Sequence, residues 1–520
     1  VPEQERKKRT WAIVWRIGRW IGLSLLTLWL IAAVVLQAPW KSTVLLAVFL
    51  FACTVLPRRF RKWFRLGVGC VILAWMIWTV LPEDNEGWRS YTFDGELAAL
   101  EAKYAVPDKD NAGPIYDEIF ETLDTNSNQP EFFLKSKLSS IHEPWLSNDH
   151  PEMGQWLKTR QDTIAKLMEA SHLEKCHFAI PDHSWEVDKH MERLAPMRQC
   201  AFLLVSAGNN DVGEGRKDAG LEKYLCVLRM AGHLYQQPVA LDFLVGSGIE
   251  RLASTHLNRF VIGGEPTAEQ LHLIIDALGD LENNWGTEFK GFLESDKLLM
   301  KNDFCSMVYE VRSDGRVRFS RDPLSAFRLA QSSLLPTPTY WQRKYCKAKT
   351  IFAWLTMPST PQEVGEIFDT GFDQYNAMTE PGFDWTNRPP TPESFLTKSI
   401  LFRIRLNCQC LIRFITGFSE EAYFGLHDAY SKMLTLRRSS RLLVATKQYY
   451  DEHNVWPPNL DAIKSAVPAE ALIDPQNNDS FVYKRTDDDF NLYSKGRNNI
   501  DETGEKAEGT DDWPIWPPKQ

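Results

Sequence analysis

The chain has 520 residues and a formal net charge of −9. Residues 1–82 hold twelve Lys/Arg against two Asp/Glu, a balance of +10, which leaves −19 on the other 438. So acidic a remainder excludes the basic footprint from which nucleic-acid recognition starts, and the length implies several domains.

Three apolar runs, residues 20–37, 42–56 and 66–81, open the chain. A membrane-spanning helix needs about 20 apolar residues. The first run meets this if its helix begins near Trp11 and lets Arg16 and Arg19 reach back to the headgroups. The other two must borrow flanking residues or thin the bilayer. Trp15, Trp20, Trp40, Trp75 and Trp78 fall near the expected interfaces, where amphipathic rings are favoured. A cleaved signal peptide has a single apolar run, so three runs predict a three-helix transmembrane anchor over 1–82.

Lys and Arg set its orientation. Arg6, Lys7, Lys8 and Arg9 precede the first span, and Arg58, Arg59, Arg61, Lys62 and Arg65 fill the loop after the second. The first loop has only Lys41, and Glu83-Asp84-Asn85-Glu86 follows the third span. The positive-inside rule then predicts a cytoplasmic N-terminus, a lipid-bilayer partner and an outward-facing body from residue 83 to 520. The spans carry no acidic residue, which argues against transport or proton relay. Of nine cysteines, Cys53 and Cys70 fall in the spans; the other seven cannot all pair, so buried free thiols are expected beside an open question of disulfides.

Residues 83–430 are predicted to form an irregular α-helical bundle or solenoid. Stripes run through Leu97, Leu100 and Tyr104; through Trp156, Arg160, Ile164, Leu167 and Met168; and through Leu221, Leu225, Leu228 and Gly232. Thr267-Ala268-Glu269-Gln270 has capping-box form, and Thr360-Pro361-Gln362-Glu363 places Pro at a first helical position. Polar turns are expected at Gly208-Asn209-Asn210-Asp211 and Gly263-Gly264-Glu265-Pro266, and longer loops at 125–130, 336–340 and 380–392. Strand and helix periods compete over 400–418, with length favouring helix.

Residues 431–520 read as a small α+β module. A helix over 436–450 leads to Trp456-Pro457-Pro458-Asn459-Leu460, then Asp474-Pro475, strands at 481–484 and 491–494 around an acidic turn, and a Gly- and Asp-rich tail. Ala445, Tyr449, Pro457, Leu460, Asp474, Pro475, Tyr483, Leu492, Tyr493, Ser494 and Gly496 stand in matching order to the globular half of the major pseudopilin of bacterial type II secretion, which this stretch resembles. The likeness covers about 80 residues. It departs from the family because Arg437, Arg438 and Arg441 occupy the helix, which follows hundreds of other residues instead of opening the protein, so a pilus subunit is not expected. The resemblance implies a bacterial cytoplasmic-membrane protein with a periplasmic body, and calcium on the acidic loop. Oxygen donors at matching places are Asn498, Asp501, Asp511 and Asp512, with Ser494 a further contributor. Arg497-Asn498-Asn499 replaces the family's Ala-Asp-Gly, which removes a carboxylate and adds a cation, and a solvated acidic tail competes with the calcium reading.

Reaction chemistry has little footing. His172, His177, His183 and His190 with Cys176 lack metal-ligand spacing, although Asp182, Glu186 and Asp188 are nearby. Cys408 and Cys410 diverge on a helix. Gly246-Ser247-Gly248 lacks the spacing of a nucleophile elbow, and no zincin, P-loop or dinucleotide motif is present. No catalytic residue is nominated. The expected function is a non-enzymatic envelope scaffold or binding protein, an accessory subunit of a larger membrane assembly that meets protein partners or itself. The alternatives are an extracytoplasmic hydrolase with its site in the helical body, around residues 183–190, and a sensor acting through a cytoplasmic partner.

Overall fold

The computed structural model describes residues 87–123, 129–134, 139–181, 187–281, 285–319, 360–380, 382–385, 408–486, 488–504 and 509–517. The three expected spans, and with them the anchor, lie outside these residues, as do the loop at 336–340 and parts of those at 125–130 and 380–392. Among the described residues no helix is long and apolar enough to cross a membrane. The described chain is mainly helical with a small sheet module at its C-terminal end.

The chain divides into two compact units. One draws on Val1–Phe93, Met300–Gln374 and Pro390–Ser419, the other on Asp94–Leu299, Tyr375–Pro389 and Glu420–Gln520. In the first, β1 (Trp88–Ser90), β2 (Tyr309–Arg312) and β3 (Val317–Phe319) form an antiparallel sheet in that order, with Trp88 opposite Arg312 and Val311 opposite Val317. Gly315, at φ +83°, turns β2 into β3, a conformation that costs glycine little. The backbone N–H of Phe93 donates to Asn302 Oδ1 at 2.8 Å, and the Lys301 ammonium lies 4.6 Å from the Phe93 ring centre.

The second unit is built from α1 (Asp94–Tyr104), α2 (Gly113–Thr122), α3 (Glu131–Leu134), α4 (Pro151–Thr159), α5 (Gln161–His172), α6 (Val187–Gly213), α7 (Lys217–Tyr235), α8 (Ala240–Gly263), α9 (Ala268–Gly279) and the first turns of α10 (Trp285–Val308). Helix α7 is the pillar, packed by α5, α6, α8 and α9. Twelve of its nineteen residues are buried, so its apolar residues spread beyond one stripe. The expected start of α9 is realised in full: the Thr267 side chain accepts from the Gln270 N–H while the Gln270 side chain accepts from the Thr267 N–H. Helix α11 (Pro361–Asp373), in the first unit, begins on its Thr360 cap with Pro361 next, as its sequence indicates. The stripe from Trp156 to Met168 is broken once, at Arg160, between α4 and α5.

One expected turn is absent. Gly208-Asn209-Asn210-Asp211 lies inside α6, because each polar side chain meets a partner that keeps it in the interior. Asn209 is fully buried; its amide donates to the Ser140 carbonyl at 2.8 Å and its carbonyl accepts from the Tyr224 hydroxyl at 2.6 Å. Asn210 reaches Ser147 Oγ at 3.0 Å, and Asp211 takes Arg216 at 2.8 Å and Lys223 at 2.5 Å. A Cβ on Gly208 would stand 2.7 Å from Tyr224, and one on Gly220 would stand 2.6 Å from Val212, so these glycines permit the close crossing of α6 and α7. The other turn occurs as expected, with α8 ending at Gly263 and Glu265 at φ +48°.

The final helix, α12 (Cys408–His453), is continuous through residues 430 and 431 and is already helical at 408–418. After it come β4 (Ile473–Asp474), β5 (Asp479–Ser480), β6 (Val482–Arg485), β7 (Phe490–Ser494) and β8 (Trp513–Trp516). The expected hairpin is β6–β7, with Val482 opposite Tyr493 and Arg485 opposite Phe490. The end of the Gly- and Asp-rich tail forms β8 on the far side of β7. Ile515 enters a core with Leu442, Leu443, Phe481, Phe490 and Leu492, Trp516 packs against the same core, and Pro514 is tolerated on an edge strand.

Buried His233 and His256 and half-buried His427 are expected to make this unit acid-sensitive. Burial pushes His233 and His427 down to about 4 and His256 down to about 3. His233 Nε2–H faces the Leu173 carbonyl at 2.7 Å, so Nδ1 accepts from Tyr116 at 2.9 Å. In the unfolded chain these rings take up protons near pH 6.5, so the unfolded state binds more protons between that pH and about 3–4. Stability is expected to fall as pH drops through this window, by about 1–2 kcal/mol per histidine at pH 5. Asp296, pushed up from 3.8 to about 6 by burial, opposes the trend over most of the window, pH 5 included. Urea titrations at pH 7.5 and 5 measure the net loss.

Candidate functional site

A groove of about 780 Å³ lies in the second unit where α6, α8 and β8 meet. Helix α6 supplies Arg198, Ala201 and Phe202, three residues at helical spacing on one face. Helix α8 supplies a longer face, including Leu244, Gly248, Arg251, Leu252, Thr255 and Arg259. Strand β8 closes it with Trp513, Pro514 and Ile515, and His142 stands at its edge. The site therefore needs both the helical body and the C-terminal sheet.

Its electrostatics run against the rest of the chain. Arg198, Arg251 and Arg259 line the groove; among the described residues no Asp or Glu does, and none of the three arginines is paired with a carboxylate. The Arg198 guanidinium lies 6.0 Å from the Phe202 ring centre, and Arg259 donates to the His142 carbonyl. His256, stacked on Tyr224 at 5.4 Å, is kept neutral first by burial and then by the Arg259 charge, so the arginines carry the positive charge.

Gly248 gives the groove a second unusual feature. It stands in the interior of a 24-residue helix, exposed, with nothing within 4 Å of where a Cβ would project. No packing contact requires glycine there, whereas a Cβ on neighbouring Gly246 would stand 3.0 Å from Tyr235. Gly248→Ala is expected to stabilise the protein by about 0.5–1 kcal/mol in thermal or urea unfolding, the ordinary cost of glycine in a helix. Ser247 between them donates to the Leu244 carbonyl at 2.8 Å, within helical backbone and with no nucleophile elbow.

The acidic loop holds the four nominated calcium donors. Asp501 is turned to the β-sheet: it accepts from the Tyr493 hydroxyl at 2.6 Å and from Lys484 at 3.0 Å, contacts that pull its carboxyl down to about 2. Asp511 Oδ2 accepts the N–H groups of Arg497 and Asn498 at 2.5 and 3.1 Å. Asp512 Oδ2 accepts those of Glu502 and Gly504 at 2.9 and 2.7 Å, and Asn498 Oδ1 takes the Ile500 N–H at 2.8 Å. Backbone donors thus occupy most of the oxygens a calcium ion would use, and among the described residues no three acidic, His or Cys groups converge. One carboxylate oxygen of the loop, Asp512 Oδ1, is buried with no hydrogen-bond partner.

The residues in the C-terminal stretch that carry the pseudopilin resemblance also have a local physical meaning. Asp474, fully buried, accepts from Thr435 at 2.9 Å and from Ser494 at 2.5 Å. Ser494 Oγ in turn accepts the Gly496 N–H at 2.9 Å, and the Tyr483 hydroxyl donates to the Pro457 carbonyl at 2.9 Å. Gly496, at φ +62°, passes directly against Asp511, where a Cβ would collide. These residues fasten the loop to α12 and β7.

The histidine group separates. His177 is buried and pairs with Glu101 at 2.6 Å, while exposed His172 lies 3.4 Å from Glu222; the side chains of His183 and His190 are outside the described residues. Cys176, Cys200, Cys226 and Cys305 are buried free thiols, and burial pushes the first three upward. Sequence reasoning missed the groove. Arg251, Thr255 and Arg259 repeat every four residues, but such a row reads as a solvated helix face until β8 is known to return beside it. No family model matches the chain, and no curated protein or solved structure matches it.

Proposed function

We propose that this chain is a non-enzymatic binding protein of the bacterial envelope, held in the cytoplasmic membrane through residues 1–82 with residues 83–520 on the outer side. The observation that carries the binding role is the groove shared by α6, α8 and β8, whose size lies in the range of small-ligand sites. The apolar runs and the Lys/Arg distribution support the anchor and its orientation. In this reading the pseudopilin-like end is a structural cap that completes a binding surface on an accessory subunit of a larger membrane assembly.

A photoreactive amino acid at Leu244, which is 43% exposed on the groove, tests binding in intact cells. A discrete adduct is expected there and not at Leu273, which is 48% exposed and lies off the groove; equal labelling at both positions contradicts the role. Alkaline phosphatase fused after Trp88 is expected to be active, and an inactive fusion in a well-expressed chain contradicts the orientation.

Calcium on the acidic loop is an accessory reading, favoured by the partnerless Asp512 Oδ1. Calcium is then expected to raise the melting temperature of the full chain, and Asp512→Asn to abolish the increase; an unchanged melt removes the reading.

A further inference from the structure

We infer that the groove takes a phosphate ester with an apolar group, its anionic end on Arg198, Arg251 and Arg259 and its apolar end against Phe202, Leu252 and Trp513. The inference rests on the binding role proposed above. Its first support is the inversion of charge: residues 83–520 carry −19, yet among its described lining residues the groove gathers three arginines and no carboxylate. Guanidinium groups present forked donors that match phosphate oxygens, and their charge is unaffected by ordinary pH changes. Among the described residues these arginines have no carboxylate to satisfy them.

The second support is the apolar wall. Phe202, Leu252 and Trp513 are half-buried around the same space, and exposed Leu244 extends it outward. A bare inorganic ion would leave this wall wet, whereas an attached chain or ring would cover it. Gly248 supplies the third, because glycine without a packing reason keeps this helix face open for an occupant. A volume of about 780 Å³ suits a small molecule or a lipid headgroup with its first carbons.

Calorimetry on the full chain in a neutral maltoside detergent tests this with four probes: phenyl phosphate, inorganic phosphate, phenyl glucoside and dihexanoyl phosphatidylglycerol. At least one of the two esters is expected to bind at least tenfold more tightly than inorganic phosphate or phenyl glucoside. Tighter binding of the phosphatidylglycerol identifies a membrane lipid as the source, and tighter binding of phenyl phosphate identifies a soluble ester; both uphold the inference. Arg251→Glu is expected to weaken the bound ester tenfold or more. Gly248→Leu, which adds its side chain to open space, is expected to abolish binding without lowering the melting temperature. Binding of neither ester, equal binding of inorganic phosphate or the glucoside, or ester binding that both variants leave intact overturns the inference. If the Leu244 adduct persists while the esters fail, the ligand class is wrong and the binding role stands; loss of both removes the binding role.

Discussion

Glu250→Ala is expected to destabilise the second unit by about 3–5 kcal/mol, the range for removing one partner of a buried ion pair. Glu250 is fully buried on α8, and Arg437 on α12 is 5% exposed. Their contact is bidentate: Arg437 Nε donates to Oε1 at 2.6 Å and Nη2 to Oε2 at 2.8 Å. Tyr235 of α7 donates to Oε2 at 2.6 Å, and Arg437 also reaches the Leu281 carbonyl. Burial alone would lower the guanidinium's affinity for its proton, but the Glu250 charge overrides it and holds the Arg437 pKa above the ordinary range. With Glu250 gone, the arginine remains charged and loses its anion in the interior. The double variant Glu250→Leu with Arg437→Met is expected to cost less than Glu250→Ala, because it leaves no uncompensated charge. Urea unfolding of the three proteins measures both quantities, and a loss below 1 kcal/mol for Glu250→Ala would show that the pair does not hold α12 to the bundle.

Asp474→Ala carries the second large expected effect, about 2–4 kcal/mol, since four donors lose one buried acceptor group. Besides Thr435 and Ser494, the carboxylate accepts from the Gln476 N–H at 3.1 Å and Asn477 Nδ2 at 3.0 Å. Asn477 continues the chain of contacts to the Gly496 carbonyl at 2.8 Å. Loss of Asp474 should therefore loosen the 494–504 loop as well as lower the melting point. Hydrogen exchange reads that directly: amides 496–504 are expected to exchange faster in Asp474→Ala than in the parent, and an unchanged loop would make the cluster incidental.

What the sequence made legible follows from how local each signal is. The Thr267 cap and the Thr360-Pro361 start depend on neighbours in the chain and were readable from them. The β6–β7 hairpin was readable because its pattern and turn lie within fifteen residues. Gly208–Asp211 misled because a polar run signals a turn only when water satisfies it; here Ser140, Tyr224 and Lys223 do so from distant positions. Strand β8 was missed because its partner is separated by the Gly- and Asp-rich tail, and its two-sided placement beside α8 cannot be inferred from four residues. The groove depended on that strand, so its arginines could not be told from an ordinary exposed row. The acidic donors Asn498, Asp501, Asp511 and Asp512 were identifiable as a group, but their mutual orientation depends on backbone N–H groups that only the folded loop brings forward.

Native mass spectrometry of the full chain extracted gently from its own membrane tests the central claim, that the groove is a binding site, without choosing a ligand in advance. The parent protein is expected to carry a noncovalent adduct of small-molecule mass that Gly248→Leu lacks. Bare mass in both proteins, or the same adduct in both, would contradict the claim.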